Sequence, residues 1–151
     1  MLENSQIQIF FQLLLAAFLG AFLGLEREYK RKEAGLRTYT LVCLASALFT
    51  IISFKSTELF LNQPGTSFDP SRIVGQIVLG VGFLGAGLII FRQMHLEGLT
   101  TAAGLWLTAG IGVAVGTKLY LVAVFATFLG VAILAGLKLA EEKFFKAKIS
   151  E

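Results

Sequence analysis

The side chains able to do chemistry in this chain of 151 residues crowd at the ends of apolar segments. Glu26, Arg27 and Glu28 close the first segment, and Gly35-Leu36-Arg37-Thr38 opens the second. Arg92, His95 and Glu97 follow the third, and Gly98-Leu99-Thr100-Thr101 opens the fourth. Taken singly, such residues read as snorkelling charges or helix caps. Gathered at one membrane face, where the dielectric falls, they make either an inter-helix ion-pair layer or a partner-binding surface. Glu26 and Arg37 flank the same short connection and are expected to pair. On the opposite face Asp69 and Arg72 precede the third segment, with Asp69 placed to cap it and Pro70 in its first turn. His95 has no cysteine and a single glutamate near it, too few ligands for zinc, so no metal site is expected. No serine, cysteine or carboxylate is arranged for catalysis. The chain therefore reads as non-enzymatic, with no catalytic residue and no cofactor.

The string Gly80-Val81-Gly82-Phe83-Leu84-Gly85 matches the dinucleotide-binding pattern GxGxxG letter for letter. That pattern works only after a strand and before a soluble helix, with an acid about twenty residues on. Here it lies inside Ile73–Phe91, nineteen residues without a charge. A helix of that length reaches roughly 28 Å, close to the thickness of a bilayer's hydrocarbon core. The glycines are therefore packing residues in a span.

Composition agrees: 56% of residues are hydrophobic and 15% charged, which fits an integral membrane protein and leaves no room for a second folded domain. The net charge of +3 sits in short loops. It suits the headgroups of a lipid bilayer and excludes a nucleic-acid stripe. Cys43 is alone, so no disulfide forms within the chain, and it reads as a small buried residue. No basic stretch or cleavage site marks the first apolar run as a signal peptide, so it is expected to stay as a span.

Five elements must position these residues. Apolar length predicts spans at about 7–25, 38–54, 73–91, 99–116 and 119–137, in a single domain over 1–151 with an interfacial, amphipathic tail at 138–151. With five crossings, ten basic residues (Arg27, Lys30, Arg31, Lys32, Arg37, Arg92, Lys138, Lys143, Lys146 and Lys148) share one side against Lys55, Arg72 and Lys118. The positive-inside rule then puts the N-terminus outside and the C-terminus in the cytoplasm. A re-entrant fourth segment, which Gly104, Gly110, Gly112 and Gly116 would allow, puts the lysine-bearing tail on the wrong face. Pro64-Gly65 and Asp69-Pro70 mark the external loop, and Thr117-Lys118 leaves only a tight hairpin between the fourth and fifth spans.

Helices in lipid are held together by close packing over small residues. Ala16, Gly20 and Gly24 make two small-xxx-small steps on the first span, and Gly112 with Gly116 makes one on the fourth. On the third, Gly75, Gly82, Gly85 and Ala86 share one face and Gly80 with Gly87 another, which predicts protein neighbours on two sides and favours self-association into a dimer or larger assembly. Cys43, Ser46, Thr50 and Ser53 recur at helical spacing on the second, as packing residues whose hydroxyls bond their own backbone, or as the lining of a polar pathway. Every ionisable residue falls near a span end, whereas cation transporters and proton relays usually keep one mid-membrane. A cation transporter or channel coordinating its ion at glycine-broken helices is the alternative.

Leu19-Gly20-Ala21-Phe22-Leu23-Gly24-Leu25-Glu26-Arg27-Glu28, Ala34-Gly35-Leu36-Arg37-Thr38, Asp69-Pro70-Ser71-Arg72-Ile73, Gly82-Phe83-Leu84-Gly85-Ala86-Gly87, Gly98-Leu99-Thr100-Thr101-Ala102-Ala103 and Leu105-Trp106 together resemble the MgtC/SapB family of bacterial inner-membrane proteins. The resemblance implies a five-helix, multi-pass inner-membrane protein linked to magnesium homeostasis and low-magnesium adaptation. It further implies a regulatory or accessory role through other membrane proteins, the ATP synthase among them. Tyr39 departs from the family's frequent histidine, and the chain is expected to lack the C-terminal cytosolic domain of long members.

Overall fold

The computed structural model describes residues 2–60, 69–92 and 95–137. Within them five helices are long and apolar enough to cross a membrane: α1 (Leu2–Tyr29), α2 (Leu36–Phe60), α3 (Ser71–Leu88), α4 (Leu99–Gly116) and α5 (Tyr120–Ala132), the last continued by a π-helical turn at Ile133–Leu137. The all-α, five-span architecture therefore stands. α4 runs unbroken through its glycines, as one crossing rather than a re-entrant pair. The amphipathic tail and the Pro64-Gly65 turn lie outside the described residues.

The expected boundaries shift at several ends. α1 and α2 run past their apolar cores, because charged residues at a span end keep helical geometry while their heads reach water. The third span is shorter than its apolar length. Its helix stops at Leu88, Ile89 turns extended (φ −87°, ψ 110°), and Ile90–Arg92 (β1) pairs antiparallel with His95–Glu97 (β2) in the register Ile90↔Glu97, Phe91↔Leu96 and Arg92↔His95. Ile90 and Phe91 are strand-favouring side chains, and β2 supplies partners for their backbone five to seven residues on. Gly98 (φ +90°) then turns the chain into α4, at a point where a Cβ would run into the Leu88 carbonyl.

Two other connections close on non-glycine residues in the left-handed region. At the end of α1 the Lys32 N–H donates to Arg27 O (3.0 Å) and the Arg31 N–H to Glu28 O (2.9 Å), around Arg31 at φ 50°. At the end of α4 the Leu119 N–H donates to Ala114 O (2.8 Å) and the Lys118 N–H to Val115 O (3.0 Å), around Lys118 at φ 65°. Both are Schellman closures, and both put a cation at the negative end of a helix dipole. The second is the tight hairpin that Thr117-Lys118 required.

The centre of the bundle is the three-way seam of α1, α2 and α4. A Cβ on Gly20 would lie 2.6 Å from Cys43 Cβ and 2.8 Å from the Tyr39 carbonyl, and one on Gly24 2.8 Å from Leu36 Cα. One on Gly112 would meet the Cys43 carbonyl and, at 2.8 Å, Ser46 Cβ, and one on Gly116 would lie 2.7 Å from Thr50 Cβ. Only hydrogen fits at these four places. Leu23, Tyr39, Cys43, Leu105 and Val115 fill the seam, fully buried.

α3 corrects the sequence reading. It packs on α4 through Ile77, Val81 and Gly85, with Gly85 in ordinary contact with Ala102 (3.5 Å). Among the described residues Gly75, Gly82 and Gly87, expected at helix contacts, meet nothing within 4 Å, and neither does Gly80. The helix's close neighbour among the described residues is α4, and an apolar groove of about 440 Å³ lies between it and α2. Small residues crowded all round a helix do not say which side is covered. That depends on the partner's own small residues, and α4 offers them only to the Gly85 side.

Candidate functional site

The ends of α1 and α5, the starts of α2 and α4, and the β-hairpin converge on one face of the bundle, here called the basic face. The sequence placed its charge layer there. Arg27 is its anchor, 2% exposed. Its Nε donates to Glu26 Oε2, and its Nη2 reaches the Leu134 carbonyl in the π-helical turn (3.4 Å). Lys30, one turn on, donates to the same carbonyl (3.3 Å) and lies 2.6 Å from Glu26 Oε1, as an ion pair off the hydrogen-bonding angle. Glu26 thus holds two cations of its own helix, and α1 is tied to α5.

The expected pairing of Glu26 with Arg37 is not found. Arg37 and Thr38 are exposed on the outer side of α2, and Arg37 forms no ion pair among the described residues. The reason is helical phase. Tyr39, two residues on, takes the inward position, is fully buried, and donates from its hydroxyl to the Thr101 carbonyl (2.9 Å). Glu28 turns to the next helix instead. Its Oε2 accepts the Leu36 N–H (3.1 Å), capping α2, and a Cβ at Gly35 would strike that carboxylate. Thr101 is buried and its hydroxyl donates to Glu33 Oε2 (2.9 Å). That bond, together with Glu33's own backbone N–H, holds the Glu33 carboxyl below the ordinary range, the backbone being the larger cause. Thr100, Glu97 and His95 are exposed, and Arg92 is described only by its place in β1.

The sequence reading missed Lys30, Glu33 and Tyr39 as members of this layer. Charge count alone could not separate Lys30 from its neighbours, and Tyr39 was noted only as a departure from the family. At the opposite face it missed Gln12. This amide is 2% exposed inside a largely apolar run, and its Nε2 donates to the Val115 (2.9 Å) and Gly116 (3.2 Å) carbonyls at the end of α4. A glutamine deep in such a run, one turn beyond Gln8, was the available signal. Gln12 floors a cavity of about 220 Å³ rimmed by Gln8, Lys55, Glu58, Thr117 and Lys118. Nearby, Asp69 and Arg72 are exposed. Asp69 Oδ1 accepts the Ser71 N–H (2.9 Å), and the Ser71 contacts hold its carboxyl below the ordinary range. Pro70, rather than Asp69, occupies the N-cap of α3.

Between the two faces the polar side chains of the seam are turned onto backbone. Thr50 donates to Ser46 O (2.7 Å), Thr108 to Gly104 O (2.8 Å) and Thr127 to Ala123 O (2.8 Å), each within its own helix, and Ser53 reaches Pro70 O (3.3 Å). Among the described residues no group of three or more His, Cys, Asp or Glu side chains could hold a metal ion. The geometry offers structural ion pairs and basic clefts.

Fold and site together define a multi-pass membrane protein: five crossing helices, a seam closed on glycine, and an arginine-centred ion cluster at one end. The sequence profile of the MgtC family matches residues 13–143, and the chain belongs to that family. It is similar to YhiD of Escherichia coli (strain K12), 42% identical over 123 residues, covering 82% of this chain and 57% of that protein. It is also similar to the protein MgtC of Salmonella typhimurium (strain LT2), 43% identical over 117 residues (78% and 47%), and to the protein SrpB of Synechococcus elongatus, 39% identical over 148 residues (90% and 78%). The chain spans little more than half the length of YhiD. No solved structure matches it.

Proposed function

We propose that this protein is a non-enzymatic accessory protein of magnesium homeostasis in the bacterial inner membrane, acting by contact with other membrane proteins and not by carrying the ion itself. Membership in the MgtC family and the likeness to YhiD, whose name provisionally assigns it to magnesium transport, support the link to magnesium. The observation that carries the accessory reading is the closed seam. From Gln12 to Arg27 the axis of α1 rises roughly 22 Å, and the seam over that length is filled by Ala16, Leu19, Leu23, Tyr39, Cys43 and Leu105. The hydroxyls beside it bond their own helices, and the glycines of α3 and α4 lie inside unbroken helices that free no carbonyl for an ion.

In this reading the basic face is cytoplasmic, the N-terminus is outside, and the outward glycines of α3 serve self-association or contact with a larger partner such as the ATP synthase. The test is magnesium flux into liposomes holding the purified full chain, alongside growth of a deletion strain at low magnesium. Flux equal to that of empty vesicles, with growth restored by the gene, supports the accessory role. Saturable magnesium entry above the empty-vesicle rate overturns it and makes the chain a transporter.

A further inference from the structure

On the basic face a cleft of about 400 Å³ opens between the end of α1, the start of α4 and the π-helical turn after α5. Its two walls differ in kind. Arg27, Lys30 and Lys32, with Thr100, form one, and Ile133, Leu134 and Leu137 form the other. The carboxylate paired with these cations among the described residues is Glu26, and Glu33, whose charge acts on Lys32 and Arg27 from the side, offsets a second, which leaves a net surplus of one positive charge. The other acid nearby, Glu33, lines the neighbouring cavity beside Lys32 and is engaged by the Thr101 hydroxyl.

Arg27 is the informative member. Its Nε and Nη2 are engaged by Glu26 and Leu134, while its Nη1 has no partner among the described residues, although the side chain is only 3% exposed and lines the cleft. Nη1 is not sealed off from the cleft, so its donors are open to an acceptor there, and the planar fork fits phosphate oxygens well. The start of α4 adds to the demand. Gly98 supplies no side-chain cap, and the first-turn N–H groups of a helix point at whatever lies before it.

We propose that this cleft is a binding site for the phosphodiester of an anionic membrane lipid. The phosphate lies against Arg27, Lys32 and Thr100, and the first acyl methylenes lie along Ile133, Leu134 and Leu137. The apolar wall separates this ligand from free phosphate, which gains nothing from it. The depth agrees, because three span ends frame the cleft and headgroups sit at span ends. Net negative charge matters as well, since the surplus positive charge repels the choline of a zwitterionic headgroup and accepts a glycerol one.

The proposal is tested by native mass spectrometry of the purified full chain released from nanodiscs of equal phosphatidylglycerol and phosphatidylcholine, with and without millimolar inorganic phosphate. Arg27 variants risk misfolding, so the decisive change is Lys32→Gln at an exposed residue, with Lys118→Gln on the opposite face as control. Preferential retention of phosphatidylglycerol is expected. It should weaken about fivefold in Lys32→Gln, the factor for one basic side chain at an anionic surface, remain unchanged in Lys118→Gln, and resist inorganic phosphate. Equal retention of the two lipids, or a Lys32→Gln protein identical to wild type, overturns the proposal. Binding of inorganic phosphate without lipid preference overturns the lipid assignment and makes the ligand a soluble phosphate.

Discussion

Replacing Gly20 with alanine adds one methyl group to the α1–α2 seam and should cost far more than the same change at Gly82. The new Cβ would lie 2.6 Å from Cys43 Cβ, 2.8 Å from the Tyr39 carbonyl oxygen and 3.1 Å from Thr40 Cα. Carbon atoms in contact settle near 3.5–4.0 Å, so the helices must part by about 1 Å. Two of the three obstacles are backbone and cannot rotate away. Overpacking of this kind costs about 1–3 kcal/mol. The usual helix-propensity gain of alanine over glycine offers no relief, because a helix in lipid keeps its hydrogen bonds even when separated from its neighbours. At roughly 2–4 °C per kcal/mol for a chain of this size, Gly20→Ala should melt about 2–12 °C below wild type. At Gly82 a Cβ meets nothing within 4 Å, so Gly82→Ala should stay within about 0.5 kcal/mol. The assay is thermal unfolding of detergent-purified protein followed by fluorescence size exclusion. A Gly20→Ala protein that melts with wild type refutes the seam argument, and a Gly82→Ala protein that falls as far refutes the open-face assignment of α3.

Two further outcomes follow from the basic face. Glu26→Gln leaves Arg27 buried beside a neutral amide, which should cost about 3–5 kcal/mol and remove most of the monodisperse protein on size exclusion. Arg37→Ala should be silent in the same assay, and the double change Glu26→Arg with Arg37→Glu should not recover folding; recovery would restore the direct pairing that the helical phase of α2 rules out. Glu33 links stability to pH. Its folded pKa lies below the ordinary value of 4.5, so its contribution is complete above that value and is lost as pH falls through the lowered folded one. Melting temperatures across that window should drop less steeply for Glu33→Gln than for wild type, and parallel curves would show that the Thr101 bond contributes nothing.

The spans and their number were readable because a bilayer leaves a simple trace: about twenty apolar residues bounded by charge. The glycine pairs of α1 and α4 were readable for a related reason, since two small residues four apart on one helix face make a groove that some neighbour fills. α3 shows the limit of that rule, because small residues shared along one face, Gly75 and Gly82 among them, look outward there. The charge layer was legible as a place and not as a set of bonds. Glu26, Arg27 and Glu28 are consecutive, so helical rotation sends them to a neighbouring lysine, to a π-turn carbonyl and to the next helix's N-terminus respectively. The hairpin at 90–97 was hidden because Ile89, Ile90 and Phe91 extend the apolar run without being helical.

The amide of Gln12 sets a condition on how the chain is made. Its partners, the carbonyls of Val115 and Gly116, lie 103 and 104 residues further along. When α1 first leaves the ribosome those carbonyls do not yet exist, and an unpaired amide in hydrocarbon is costly. The N-terminal half of α1 must therefore wait at a hydrated boundary, or beside another polar group, until α4 has been synthesised. Only then can it settle at full depth. α1 is thus completed only once α4 exists, so the packing of its N-terminal half depends on a helix made about a hundred residues later.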